Sequence, residues 1–480
     1  MAINNAVEIR RDIICQLSKL ILENKVIEKI DRIPYEMRPR DGGKTRCCIH
    51  KERAVIRYKL MALLGYNIYD EVDELTPLSE YAKRAIERKE TSDVMMTVVD
   101  EACSSCVKSS YIVTNLCKTC VARPCTYACK KDAITVGEHQ AVIDPAKCIN
   151  CGLCKEACPF HAIIYQPVPC EESCPVNAIT KDVNGIEHID PDKCIYCGKC
   201  MVACPFGAIM EKTFMVDVFK EITDGKKVVA IVAPSLGGQF KSDYRKVLSA
   251  IKQLGFDQVI EVAKGANITT ENEREELIER LHEGAPFMTT SCCPAWMQAM
   301  EKHMPELKEY VSTSGSPMYY IAEVMKKEFP EYKTVFVGPC MAKRLEAERN
   351  PNVDYVLIFE ELQAAFDAAQ INPATLEADK FAVESSAQGR RFPISGGVAG
   401  AVQFVVGDKA EYKPLKIDGL TKDSCKMLKR FAAKAPEDAN MIEVMCCEGG
   451  CIAGPGAVIP AKRGTVLVEN YVKTSKDIEC

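Results

Sequence analysis

A chain of 480 residues is long enough for two or three domains around a sizeable core, so its 27 cysteines are not needed as covalent staples. The cysteines bunch at metal-ligand spacings in a chain that shows no export signal, which argues against a disulfide framework and for metal clusters in a reducing cytoplasm. A net charge of -5 with both signs mixed gives no nucleic-acid footprint, and the longest apolar stretches, such as VVAIVAPSL from residue 228, fall short of the roughly 18 to 20 residues that cross a bilayer.

Residues 1–100 are charged and periodic and predict a helical cap. Val7, Ile13, Ile14, Leu17, Leu20 and Ile21 recur at helical spacing, and DGGKTR reads as a loop. The pair Cys47 and Cys48 with His50 is suggestive, but adjacent thiols bind one iron awkwardly, and the three are left unassigned. Cys15, Cys425 and Cys480 have no partner motif and read as ordinary thiols.

Residues 101–212 hold sixteen cysteines and the recurring triplets DAI, HAI, NAI and GAI, an internal repeat of the ferredoxin kind. Two runs fit C-x2-C-x2-C-x3-C-P: Cys148, Cys151, Cys154 and Cys158 before Pro159, and Cys194, Cys197, Cys200 and Cys204 before Pro205. Soft, anionic thiolates suit iron, and four in a row before proline is not typical zinc spacing. Upstream, Cys117, Cys120, Cys125 and Cys129 look like the first half of a polyferredoxin pair. That resemblance assigns Cys117, Cys120, Cys125 and Cys158 to one [4Fe-4S] cluster and Cys129, Cys148, Cys151 and Cys154 to another. The next repeat starts incompletely, with Cys170 and Cys174. If Cys103 and Cys106 in ACSSC supply its missing CxxC, Cys174, Cys194, Cys197 and Cys200 hold a third cluster, and Cys103, Cys106, Cys170 and Cys204 a fourth. A three-cluster alternative leaves Cys103, Cys106 and Cys170 idle.

Residues 213–480 alternate β-rich runs (KKVVAIVAPS, YKTVFVGPC, VDYVLIF) with helical stretches, predicting α/β layers on a largely parallel sheet with ligands beyond the strand ends. The fold class is thus a multidomain α+β and α/β chain. Three cysteine motifs lie far apart: TSCCPAW from 290, GPCMAKRLEAE from 338 and EVMCCEGGCIAG from 443. Four thiolates brought together from three loops can ligate one more cube, and the glycines around Cys451 allow close approach to something bulky.

These three motifs resemble the signatures of the [FeFe]-hydrogenase family, over the span from about 101 to 480. The resemblance implies reversible reduction of protons to hydrogen at a six-iron H-cluster. Cys293, Cys340, Cys447 and Cys451 would ligate its cube, and Cys451 would bridge to a two-iron unit bearing carbon monoxide, cyanide and an azadithiolate. Lys343 would hydrogen-bond a cyanide, its bland alternative being a surface lysine that opens a helix. Cys292 matches the thiol that passes protons inward, where it could also be a packing thiol. Glu273, Glu276 and Arg280, at i, i+3 and i+7 of one helical face, match the proton relay with Ser312; equally, Thr270 with Glu273 reads as a capping box and Glu276 with Arg280 as an ordinary ion pair. Pro234 and Ser235 match a turn beside the two-iron unit. Met445 matches a methionine packed on it, or is core filler, and Trp296 reads as packing.

The resemblance further implies ferredoxin or a similar redox carrier as electron partner and dedicated maturation proteins that supply the two-iron unit. Departures from the common pattern are Gly338 in place of methionine, expected to open space near the cofactor, with Cys446 and Glu448 in place of alanine and proline. They resemble a monomeric, clostridial-type subgroup. The competing expectations are a non-catalytic relative, a hydrogen sensor or iron-sulfur assembly protein, and a plain polyferredoxin carrier, which leaves the C-terminal motifs unexplained.

Overall fold

The computed structural model describes residues 4–42, 46–71, 73–89, 96–381 and 384–478. Part of the DGGKTR loop and Cys480 lie outside these residues. The first helix, Asn5–Leu22, starts where the Asn4 side chain accepts the Val7 amide at 3.1 Å. It buries Ile9, Ile13, Ile14, Leu17, Leu20 and Ile21, each contributing about 1.5–3 kcal/mol on burial, and packs against the helix Phe359–Ala368 of the C-terminal region. Val7 is only half-buried, and Arg10 takes a core position instead, bonded to Glu211 at 3.0 Å and Glu360 at 3.2 Å. Arg344 joins Glu211 to Glu361. One buried arginine–carboxylate network therefore ties all three sequence zones together. Cys48 caps the helix Ile49–Leu63, accepting the Lys51 amide at 3.4 Å, with the Cys47 sulfur 3.9 Å from its own.

The cysteine-rich segment is two ferredoxin-like units, one inserted in the other. Strand β1 (Met96–Val98) is followed by β2 (Ser110–Val113), the hairpin β3 (Ile134–Val136) and β4 (Ala141–Ile143), β5 (Ile163–Gln166), the hairpin β6 (Ile179–Lys181) and β7 (Glu187–Ile189), and β8 (Ile209–Glu211). The inner unit closes by antiparallel pairing of β2 with β5. The outer unit closes by pairing β1 with β8 around the whole inner one. A division at residue 100 thus separates β1 from the unit it completes.

The C-terminal region has two parallel sheets, as its alternating runs predict. Strands β9 (Val228–Val232), β10 (Gln258–Glu261), β12 (Lys333–Gly338) and β13 (Tyr355–Ile358) order as β10-β9-β12-β13. Strands β11 (Met288–Thr289), β14 (Pro414–Asp418) and β15 (Met441–Met445) order as β11-β15-β14. All five residues of β9 are fully buried, as a parallel strand covered on both faces requires. Both sheets aim strand ends at one place: β9 runs into Pro234 and Ser235, β12 into Pro339 and Cys340, β11 into Cys292 and Cys293, and β15 into Cys446 and Cys447. No helix among the described residues is long and apolar enough to cross a membrane.

Candidate active site

Those strand ends enclose a cavity of about 890 Å³, mouth included, lined by Pro234, Ser235, Cys292, Cys293, Cys340, Lys343, Met445, Cys447 and Cys451, with Phe336, Phe392, Cys197 and Cys446 among its other walls. Each loop is fixed by local chemistry. Cys293 is the residue before the helix Pro294–His303, which Pro294 starts with its fixed backbone angle. The fully buried Trp296 indole donates to the Thr290 carbonyl at 3.0 Å, and the Val444 amide donates to the Thr290 hydroxyl at 3.1 Å, locking the β11 loop to β15. Trp296 is thus a brace for the Cys292–Cys293 loop. The loop carrying Cys451 can approach its neighbours only because it has glycines: a Cβ at Gly450 (φ +89) would stand 2.5 Å from the Pro393 carbonyl oxygen, and one at Gly454 2.5 Å from that of Pro339.

Lys343 is buried at the start of the helix Lys343–Arg349, not on the surface, and donates to the Ser316 hydroxyl at 2.9 Å and to Glu346 at 2.5 Å. Burial works against its charge, but Glu346, Cys340 and Cys292 outweigh that and keep the ammonium protonated. Gly338 does not open space. A Cβ there would lie 2.6 Å from the Phe336 ring, which fills the volume from two residues back along β12 and lines the cavity itself.

The helix Ala263–His282 begins well before Thr270, so the capping-box reading fails: Thr270 is mid-helix, its hydroxyl donating to the Ala266 carbonyl at 2.8 Å. Packed by the helices Pro317–Glu328, Ala387–Arg391 and Gly397–Val406, this helix carries Glu273 into the interior. Glu273 is fully buried, accepts only the Ser291 amide at 3.4 Å, and leaves Oε2 without a partner. Burial pushes its carboxyl up to about 8. For Glu276 burial pulls the same way, but the Ser312 hydroxyl at 2.7 Å, the Thr313 amide at 2.9 Å and Arg280 at 2.6 Å overcome it and hold that carboxyl below its ordinary value. Arg280, anchored on the Glu309 and Val311 carbonyls, faces the outside. Cys292 is pushed well above an ordinary thiol by burial, with Glu273, Cys293 and Cys451 adding to it.

Glu443 escaped sequence reasoning. It is fully buried on β15, accepts the Gly396 amide at 2.6 Å and the Ala399 amide at 2.8 Å, and adds negative charge behind Cys292 and Cys451. Its signal was a lone glutamate inside the apolar run MIEVM.

The sixteen upstream cysteines repeat one local design. Cys125, Cys154, Cys170 and Cys200 each sit on a five-residue helix, and Cys129, Cys158, Cys174 and Cys204 cap the C-termini of those helices. Three residues past each cap a left-handed residue follows: Asp132, His161, Asn177 and Gly207. Next comes the buried alanine of DAI, HAI, NAI or GAI. The amides of Ala133, Ala162 and Ala178 donate to the sulfurs of Cys129, Cys158 and Cys174 at 3.3, 3.4 and 3.2 Å. In the CxxC loops the residue before the second cysteine is also left-handed: Thr119, Asn150, Tyr196 and, between Cys103 and Cys106, Ser105. The fourth loop therefore has the same turn as the three that sequence spacing identifies.

Thiols near enough to act on one another fall both within the expected sets and across them. After burial, Cys125 is raised by Cys120 and Cys158, Cys154 by Cys148 and Cys151, Cys106 by Cys103 and Cys204, Cys200 by Cys197, Cys194, Cys174 and Cys170, and Cys447 by Cys340, Cys451, Cys293 and Cys197. The outer unit touches the cavity directly: Cys197 and Cys446 share its wall, and a Cβ at Gly198 would stand 2.4 Å from the Met341 sulfur. Among the described residues no three His, Cys, Asp or Glu side chains converge on a single ion. The fit to iron-sulfur groups rests instead on the repeated thiol sets, the apolar cavity and the buried, unpartnered Ser235 hydroxyl beside it.

Residues 226–455 match the family described as iron only hydrogenase large subunit, C-terminal domain, and residues 141–164 and 187–210 match 4Fe-4S binding domains. The chain is 32% identical over 378 residues to the periplasmic [Fe] hydrogenase large subunit of Nitratidesulfovibrio vulgaris, covering 66% of this chain and 86% of that one. It is 30% identical over 386 residues to iron hydrogenase 1 of Clostridium pasteurianum, covering 68% of this chain and 66% of that protein's length. A third relative, cytosolic iron-sulfur assembly component 3 of Mus musculus, is 25% identical over 324 residues, covering 53% of this chain and 68% of the other.

Proposed function

The chain belongs to the iron-only hydrogenase family, and within it we propose that this protein catalyses the reversible reduction of protons to molecular hydrogen at the cavity between its two parallel sheets. One observation carries the reading: nine positions scattered between Pro234 and Cys451 line a single buried cavity. In this reading Cys293, Cys340, Cys447 and Cys451 would hold the cube of a six-iron H-cluster. That centre supplies the hydride chemistry when bound. The chain's own residues supply charge, dryness and protons. Lys343 sets a cation against anionic ligands in an apolar wall, where its field is strong, and Phe336, Phe392 and Met445 keep water out.

Protons enter at Arg280 and Glu276, pass Ser312, and reach Glu273 and then Cys292. The proton affinities are ordered for that direction: Glu276 is held low, whereas Glu273 at about 8 keeps a proton at neutral pH beside the Cys292 thiol. The sixteen upstream cysteines would hold four [4Fe-4S] clusters, which would supply electron transfer; the fourth is supported by the left-handed turn at Ser105 and by β1–β8 closure, which brings Cys103 and Cys106 to the outer unit. The nearest to the cavity is the set holding Cys197. The electron partner is ferredoxin or a similar carrier, the two-iron unit comes from maturation proteins, and Gly338, Cys446 and Glu448 favour the monomeric, clostridial-type subgroup. Working in a reducing, anaerobic cytoplasm fits 26 described cysteines none of which is joined in a disulfide.

The test is anaerobic hydrogen evolution from reduced methyl viologen by matured protein, with infrared spectroscopy of the carbon monoxide and cyanide stretches. The reading expects both bands and turnover, with turnover collapsing in Cys292→Ala while the bands remain. Cubane absorbance without those bands in matured protein would overturn it and favour an assembly role like that of the mouse relative.

A further inference from the structure

Lys59 lies on the helix Ile49–Leu63 with 1% of its surface exposed. It lines a small cavity with Arg10, Cys204, Gly207 and Glu360. A Cβ at Gly207 would meet its Nζ at 3.2 Å, so the ammonium rests on the turn that follows Cys204. Gly207 is the left-handed residue of the fourth repeat, with φ +59.

Burying an ammonium is costly unless an anion answers it. The carboxylates nearby are already engaged: Glu211 by Arg10 and Arg344, Glu360 by Arg10 and Arg11, and Glu52 by Arg38 and Arg46. Among the described residues no carboxylate forms an ion pair with Lys59. Burial, then Arg46 and Arg10, push the group down to about 7, and Cys204 leads the groups that pull it back. The cation therefore sits beside a cluster cysteine, in surroundings whose protein anions are spoken for.

We infer that Lys59 is a positioning residue for electron transfer, its buried ammonium serving as counter-charge to the [4Fe-4S] cluster of Cys103, Cys106, Cys170 and Cys204 and raising that cluster's reduction potential. This rests on the four-cluster reading. A cube with four thiolates is anionic and gains one further negative charge when it accepts an electron. In its protonated form the ammonium stabilises the reduced cube more than the oxidised one, and the added negative charge in turn favours that protonated form; no bond is made or broken. The helical cap, which holds no assigned cluster, thereby acts on the redox chain through one side chain.

The experiment is a redox titration followed by electron paramagnetic resonance on the full chain, reconstituted with iron and sulfide but not given the two-iron unit. Cys106→Ser identifies the cluster's signal by removing or altering it. In Lys59→Met and Lys59→Gln, at unchanged iron content, that signal should need a lower potential, with at least a tenfold change in oxidised-to-reduced ratio at fixed potential, about 59 mV for one electron. The other signals should stay in place, and Lys59→Arg should titrate like the parent. Parental titration of both neutral variants at full iron content overturns the role of Lys59 alone. A parent chain that binds four cubes rather than five, with Cys106→Ser leaving every signal intact, overturns the four-cluster reading beneath it.

Discussion

Replacing Glu273 by glutamine should make the protein more stable and far less active, with a pH signature that identifies the cause. The carboxyl is fully buried and moves from 4.5 when solvated to about 8 in the fold. Below pH 4.5 both states hold the proton and the group contributes nothing. Between the two values the unfolded chain releases its proton while the folded one must keep it, so stability falls by about 1.4 kcal/mol per pH unit and levels off above the folded value. At pH 7 the accumulated penalty is about 3 kcal/mol. Glutamine removes it, less the desolvation cost of an amide nitrogen at the position where Oε2 has no partner. The gain over the parent should therefore widen steadily from about pH 5 to pH 8, a slope that no constant packing term can imitate. Thermal or denaturant unfolding of matched anaerobic preparations measures it. Hydrogen evolution should fall by about 10²–10⁴-fold, the usual contribution of a positioned acid–base group. A stability difference that does not change with pH would refute the buried-carboxylate argument, and parental turnover would refute its place in the proton path.

Restoring methionine at Gly338 should clash with the Phe336 ring and cost about 1–3 kcal/mol; Phe336→Ala in the same chain should recover most of that, and a simple sum of the two single-variant losses would show that the ring does not occupy the methionine's volume. Arg344→Met takes the buried arginine from Glu361 and leaves Glu211 with Arg10 alone, and should cost about 3–5 kcal/mol. Because that network joins the cap to both other regions, unfolding should show the Asn5–Leu22 helix exchanging amide hydrogens faster in this variant. Unchanged cap exchange would sever the link drawn from Arg10 through Glu211 to Arg344.

What could be read in the sequence was local or periodic. Thiol spacing gives the cluster loops because Cys148, Cys151 and Cys154 sit on one short stretch of chain, and the i, i+3, i+7 spacing puts Glu273, Glu276 and Arg280 on one face because the segment is a helix. The triplets DAI, HAI, NAI and GAI were visible as a repeat, but the left-handed turn and the amide-to-sulfur bonds that they encode were not. Long-range facts stayed hidden for a common reason: nothing near β1 announces that its partner is β8, and nothing near Gly338 announces that Phe336 will turn into the space above it. The capping-box reading of Thr270 failed because a local hydrogen-bond motif lost to helix packing on three sides. Glu443 was hidden by its setting, since one acidic residue in an apolar strand becomes meaningful only when the amides of Gly396 and Ala399 are found pointing at it.

The nesting of one ferredoxin-like unit inside the other also fixes an order of assembly. The inner unit can close as soon as β5 has left the ribosome, because β2 and β5 bracket only its own loops. The outer unit must wait for β8, so Cys103 and Cys106 emerge early and stay without the β1–β8 closure while the whole inner unit is made. The growing chain therefore carries Cys103 and Cys106 past an inner unit whose own closing strands are already complete.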